Sequence, residues 1–185
     1  MKLTRYRLAT ILNDTRKDVT VAMNKALADF GYDVTFNFNS YHLADRIIDR
    51  SHNHEKTVKL VCEMVTSLAK HYMCNVLFFA EKSKADGGKS HNVILYRTIN
   101  RKVTAIPAQI RMYWDEETQK HYLMITCRTF MDNYDLDIAG KHKINVDYKY
   151  PKINFEYNGY RRVMSRLDRL ISSPECPDGL KMLRV

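Results

Sequence analysis

An α+β fold is what the chain predicts, with helices gathered in its first half and an antiparallel sheet in its second. Three observations lead there. Apolar residues recur at intervals of three and four from about residue 15 to residue 73. From residue 75 the period shortens to two over four successive runs rich in β-branched and aromatic side chains. The breaks between those runs are short, which favours antiparallel neighbours over crossovers. The expectation is a set of N-terminal helices on one face of an antiparallel sheet of about four strands, followed by a C-terminal amphipathic helix. Residues 1–150 form the main domain in this scheme, and 151–185 a helical appendage.

Each element has its own signal. Val19, Ala22, Met23, Ala26, Leu27 and Phe30 trace a helix from about Thr15 to Phe30, stopped by Gly31. Tyr32 to Asn39 alternates as a short extended segment and delivers the chain to Ser40, a capping residue type. SYHLADRIIDR, Ser40 to Arg50, then forms a helix that turns Leu43, Ala44, Ile47 and Ile48 inward and His42, Arg46, Asp49 and Arg50 outward. A third helix is capped by Asn53 and carries Val58, Val61, Cys62, Val65, Leu68, Ala69 and Tyr72 on one stripe, ending near Met73. The four strands expected are NVLFFAE (75–81), HNVILYRT (91–98), VTAIPAQIRMYW (103–114) and HYLMITCRTFM (121–131). Pro107 marks an edge or a bulge in the third, because it brings no N–H to a ladder.

Alternation sorts the strand faces. Ile106, Ala108, Ile110, Met112 and Trp114 join Leu123, Ile125, Cys127, Thr129 and Met131 in the core, so Arg111, Tyr113, Tyr122 and Arg128 share the face away from the helices. That makes a platform of arginine and tyrosine, or simply the solvated side that antiparallel sheets commonly keep. Beyond residue 131 one or two more strands are expected. Asn158 to Ser173 then places Tyr160, Val163, Met164, Leu167, Leu170 and Ile171 at helical spacing with arginines opposite.

Composition narrows the functional classes. Apolar residues make up 45% of the 185 and charged residues 28%, which suits a folded globular chain rather than a disordered one. No apolar run reaches the roughly 18 to 20 residues that span a bilayer, and the start lacks a long apolar leader, so a cytoplasmic protein without membrane contact is expected. Cys62, Cys74, Cys127 and Cys176 show neither metal-finger spacing nor a disulfide framework, and are read as reduced thiols. No metal ligand set or cofactor motif stands out: Asp132, Asp135 and Asp137 read as an acidic loop, and no phosphate-cradling GxxxxGK[ST] occurs. The loop Lys82 to Asn92 carries three lysines around Gly87 and Gly88, either a contact for RNA backbone or a solvated hairpin loop. A net charge of +9 points to a polyanionic partner, and twelve tyrosines offer aromatic faces for unpaired bases. Single-stranded RNA fits both.

The stripe His42, Arg46, Arg50 is the sharpest chemical signal, since residues four apart stack along a helix. Histidine suits proton transfer near neutrality, and the planar fork of arginine suits phosphate oxygens. A surface ladder with Asp45 and Asp49 would use the same spacing. The run F-N-S-Y-H-L-A-D-R-I-I-D-R (38–50) resembles the histidine helix of the sequence-specific endoribonucleases of T-even bacteriophages, within the wider RelE-type ribonuclease toxin fold. The order of a long helix, the histidine helix, a third helix and an antiparallel sheet is similar too, over residues 15 to 131. The resemblance implies metal-independent cleavage of mRNA by 2′-OH attack, leaving a 2′,3′-cyclic phosphate, in the cytoplasm of a phage host. His42 is then a catalytic histidine and Arg46 its phosphate-binding companion, while Arg50 matches the pattern as an RNA contact or as a structural residue. Arg111, Tyr113, Tyr122 and Arg128, the platform set by strand alternation, are the other expected RNA contacts. A ribosome or ribosomal protein is a further implied partner. Where the family has a second catalytic histidine, this chain has Cys62. His54, at the start of the third helix, is the expected replacement, with His52 and His71 less well placed. The rival expectation is a non-catalytic RNA-binding or phage–host interaction protein, or a virion component, using the same basic face.

Overall fold

The computed structural model describes residues 2–28, 31–132, 134, 142–147, 153–157 and 160–164, the last two stretches and Cys74 by backbone alone. The chain runs α1 (Arg5–Ala26), β1 (Tyr32–Phe38), α2 (Ser40–Arg50), α3 (His54–His71), α4 (Met73–Ala85), β2 (His91–Ile99), β3 (Lys102–Asp115), β4 (Lys120–Cys127), β5 (Met131–Asp132), β6 (His142–Asn145), β7 (Ile153–Tyr157) and β8 (Tyr160–Met164). An α+β fold with one mixed sheet results, in the order β1-β4-β3-β2-β6-β7-β8, with β5 added alongside β3.

The antiparallel meander β2-β3-β4 is as expected. The sheet as a whole is not purely antiparallel: β1 lies parallel to β4, and β6 parallel to β2. Three helices and two strands separate β1 from β4, so the connection is long enough to bring β1 back in the same direction. Nothing local to Tyr32–Phe38 announces that distant partner.

Two segments depart from expectation. NVLFFAE is helical, within α4, and is buried continuously from Asn75 to Glu81. A short apolar run reads the same whether it is a buried strand or a buried helix, and only its packing against β3 decides it. The second is α1, which starts at Arg5, ten residues earlier than its periodicity suggested, with the Thr4 side chain accepting the Arg7 N–H. Leu8, Ala9 and Leu12 extend its buried stripe. The Lys82–Asn92 segment is accordingly no hairpin loop: it holds the last turn of α4, a turn at Gly87 and Gly88, and the start of β2.

Pro107 acts as anticipated. The β3–β4 ladder ends at Ala108 and Cys127; the next contact is the Arg128 N–H on the Pro107 carbonyl (2.9 Å), and pairing resumes only at β5. Without an N–H at Pro107, the second half of that exchange is missing. The chain therefore swings out over Arg128–Phe130, and Phe130 is buried in place of the alternation that assigned Thr129 and Met131 to the core.

Along the sheet, Val34, Phe36, Phe38, Leu123, Ile125, Cys127, Ile106, Ala108, Ile110, Met112, Val93 and Leu95 point to the helical side and are buried with Leu12, Met23, Leu43, Ile47, Leu68 and Phe78. The edge of β1 is closed by α1. Asn24 accepts the Val34 N–H (2.9 Å) and donates to the Val34 carbonyl (2.8 Å), while the Thr20 hydroxyl reaches the Phe36 carbonyl (3.3 Å). A side-chain amide thus satisfies backbone groups that would otherwise recruit another strand. Of the helix expected over Asn158–Ser173, Tyr160–Met164 pairs with β7 as a strand, and residues 165–173 lie outside the described residues.

Candidate nucleic-acid interface

The histidine helix begins where β1 ends. Asn39, rather than Ser40, is its cap, with Oδ1 accepting the His42 N–H at 3.0 Å. Because β1 and β4 are parallel and end together at Phe38 and Cys127, the first turn of α2 and the segment at Arg128 leave the same end of the sheet. Helix α2 is fixed on three sides. Leu43, Ala44 and Ile47 enter the core. On the second side, the Arg5 guanidinium grips Asp45 through Nε (2.5 Å) and Nη2 (2.8 Å), raising the Arg5 pKa by hydrogen bond and charge. On the third, Arg50 donates through Nη1 to the Phe130 carbonyl (2.9 Å). Arg50, for which a structural role is the alternative to an RNA contact, makes a strut through Nη1 between α2 and the β4–β5 swing. His42 and Arg46, one turn apart on the same stripe and half-buried, have no side-chain hydrogen bond or ion pair among the described residues.

His54 is placed differently. It opens α3 at only 7% exposure, with Nδ1 at 3.2 Å from the Leu3 carbonyl. A carbonyl only accepts, so that contact holds the proton on Nδ1 and turns the ring into the N-terminal segment. Cys62, one of the thiols, receives the Thr15 hydroxyl at 3.2 Å between α1 and α3, and burial pushes its pKa up. It is a neutral packing thiol. His52 and His71 are exposed.

The sheet face opposite the helices carries the other predicted residues. Tyr113 and Tyr122 are register partners whose rings stack at 5.7 Å and 19°. Arg111 lies with Cζ 5.4 Å from the Tyr113 ring centre and donates through Nε to the Gly88 carbonyl (2.9 Å). Glycine suits position 88 for its own reasons: its φ of 81° is left-handed, and a Cβ there would stand 3.3 Å from the Met112 carbonyl. From Tyr122 the face continues through Met124 and Thr126 of β4, with Gln109 of β3 opposite Thr126, to exposed Arg128. At about 3.3 Å per residue this track is roughly 20 Å long. Aromatic stacking stands at one end, and Arg128 at the other. Trp114 was expected in the core but is 47% exposed. It lies four residues past the register of the first β2 residue, so the covered part of the sheet has run out there.

No protein-family model, curated protein or solved structure matches this chain. Its chemistry is read from its own geometry. Arginines and stacked tyrosines along a polar track are groups that can contact phosphates and unpaired bases, and no cluster of metal-ligating side chains occurs among the described residues. No helix among them is long and apolar enough to cross a membrane.

One cluster escaped the sequence. Tyr32, Glu81, His121 and Trp114 come from four elements and meet at the end of the helical face. The Tyr32 hydroxyl donates to the buried Glu81 carboxylate, which raises the Tyr32 pKa together with burial, the larger cause. The His121 ring meets Trp114 at 4.8 Å and Tyr32 at 6.2 Å; burial first, then Lys84, lowers its pKa. Glu81 lies in the apolar run 75–81, whose pattern suits a strand as well as the helix it forms, and only the pairing of β1 with β4 brings Tyr32 to His121. This cluster fastens α4 to the sheet end.

Proposed function

We propose that the chain binds single-stranded RNA along the sheet face opposite the helices, from the Tyr113–Tyr122 stack to Arg128 and the first turn of α2. The observation that carries this is the stack with Arg111 against it, continuous along β4 with a polar track that ends at exposed Arg128. Stacking is indifferent to base identity, and arginine supplies phosphate contacts. The mRNA of a host cell, free or on the ribosome, is the partner class implied. Fluorescence anisotropy with a labelled twelve-nucleotide RNA tests it. Single strand should bind more tightly than duplex, and Tyr122→Ala should weaken binding about tenfold, as expected for loss of one base–aromatic stack. Equal affinity for both RNAs, or no effect of Tyr122→Ala and Arg128→Ala, overturns it.

Metal-independent cleavage is a second function that one observation favours: His42 and Arg46 stand a turn apart with their polar groups free. His42 would take the 2′-OH proton as the 2′ oxygen attacks phosphorus, and Arg46 would hold the charge gathering on the phosphate oxygens. The 5′ oxygen leaves, and a 2′,3′-cyclic phosphate remains. His54, tied to Leu3, lends no support as the acid that protonates this leaving oxygen. The element order of long helix, histidine helix, third helix and antiparallel β2-β3-β4 supports kinship with RelE-type ribonucleases, while the added α4 and parallel β1 depart from the pattern expected. Incubation with RNA in EDTA decides between the two: cyclic-phosphate ends that vanish in His42→Ala mean an enzyme, and intact RNA means a binding protein.

A further inference from the structure

A groove of about 510 Å³ runs between α1 and the β1–α2 junction. Its floor is apolar, formed by Ala9 and Phe38. Tyr6, Thr10, Asn13 and Arg16 line it from α1, at the spacing of one helix stripe, and Ser40 and Tyr41 line it from α2. Tyr6 is 73% exposed and Tyr41 49%, an unusual placement for two large aromatic rings flanking one groove. Both arginines here are pre-set. Arg16 is held by Asn13 Oδ1 through Nε (3.3 Å) and Nη2 (3.0 Å), which leaves Nη1 unused. Arg5, locked to Asp45, lies with Cζ 5.2 Å from the centre of the Tyr41 ring and steadies it.

We propose that this groove takes one nucleotide unit of the bound RNA, with its base between Tyr6 and Tyr41 and its phosphate on Arg16. The assignment rests on the RNA-binding function proposed above, and adds to it a site that the platform residues do not form. The chemistry is that of a nucleotide pocket: an apolar floor, aromatic faces and a few convergent polar groups at a volume suited to a small ligand. An aromatic pair beside a cation favours a base with its phosphate over a purely apolar or purely anionic occupant. Continuity fixes the source as a strand. Ser40 and Tyr41 directly precede His42, so a chain leaving the groove across the first turn of α2 meets His42 next, with Arg46 one turn further along the helix.

Tyr6→Ala and Tyr41→Ala, at exposed rings, and Arg16→Gln, which keeps a polar side chain beside Asn13, should each weaken binding of the twelve-nucleotide RNA about five- to tenfold, with an unchanged urea midpoint showing that folding is intact. Tyr41→Phe should bind as the parent does, because stacking needs the ring and not the hydroxyl. Uridine 3′-monophosphate, titrated into isotope-labelled protein, should shift the backbone resonances of Tyr6, Arg16 and Tyr41 at millimolar concentration. Shifts with the mononucleotide but unchanged RNA affinity in all three variants would make this a free-nucleotide pocket and overturn the strand assignment. RNA binding that is lost in Tyr122→Ala yet untouched by the three groove variants, with no mononucleotide shifts, would overturn the groove and leave the platform standing. Absence of RNA binding by the parent protein would instead remove the platform function on which the groove assignment rests.

Discussion

His42, Arg46 and Arg50 share one stripe and one spacing, yet the structure gives them different work. Arg50 is bound to the Phe130 carbonyl, so Arg50→Ala should lower stability by about 1 kcal/mol in urea unfolding, the value of a partly exposed charge-assisted bond, and should leave salt-corrected RNA affinity nearly unchanged. Arg46→Ala should do the reverse, weakening RNA binding with an unchanged unfolding midpoint. Sequence periodicity identified the stripe but could not tell strut from contact, because the partner of Arg50 is a backbone carbonyl eighty residues away. The same limit applies to His54: its place at a helix start was readable, and its burial under Leu3 was not.

Protonation is a second residue-scale matter. Burial pushes the Cys127 thiol up to about 12, and burial with the Asp147 charge pushes the Tyr72 phenol to about 12; Tyr32 is raised too. Each group keeps its proton in the folded state at a pH where the unfolded chain has released it. The stability they contribute is therefore complete below the ordinary thiol and phenol values, roughly 9 to 10, and is lost as pH rises towards the folded value of about 12. Urea midpoints should decline steadily from pH 9 to pH 11. Cys127→Val, similar in size and without a proton to lose, should flatten the first part of that decline.

Elements were legible where their signals were local. The Asn53 cap, the α3 stripe, the β2-β3-β4 meander and the interruption at Pro107 all follow from neighbouring residues. The buried helix α4 did not, since its apolar run has no polar face to reveal a period until packing supplies one. Edge protection is likewise a property of pairs of elements. Asn24→Ala leaves both backbone groups of Val34 unpaired and should destabilise the protein by about 2 kcal/mol. It should also promote concentration-dependent self-association through the uncovered β1 edge, readable by light scattering; Asn24→Gln, which cannot reproduce the geometry, should share the defect in weaker form. A variant that stays monomeric at full stability would show that α1 does not guard this edge.

For the whole molecule, charge and topology act together. If Arg46, Arg111 and Arg128 each neutralise one phosphate, the logarithm of RNA affinity should fall with the logarithm of salt at a slope near about −2, and removing any one should reduce that slope by about 0.7. A salt-independent affinity would mean that stacking alone holds the strand. The net charge of +9 named the class of partner, but not where it sits. What concentrates basic groups is the parallel pairing of β1 with β4, which brings Asn39–Arg46 and Arg128 out at the same end of the sheet.

By itself the sequence determined the α+β class, most of the amphipathic helices, the alternation that sets Arg111 and Tyr113 on one face, and the polar stripe of α2. These depend on periods of two to four residues, which any chain displays in order along its length. Only the tertiary structure decided that 75–81 is a helix, that the sheet is mixed, that His54 and Arg50 are occupied, and that Tyr6, Arg16 and Tyr41 line one groove. Each of those depends on contacts between residues far apart in the chain, and a linear pattern carries no record of which distant surface a buried segment or a charged side chain will meet.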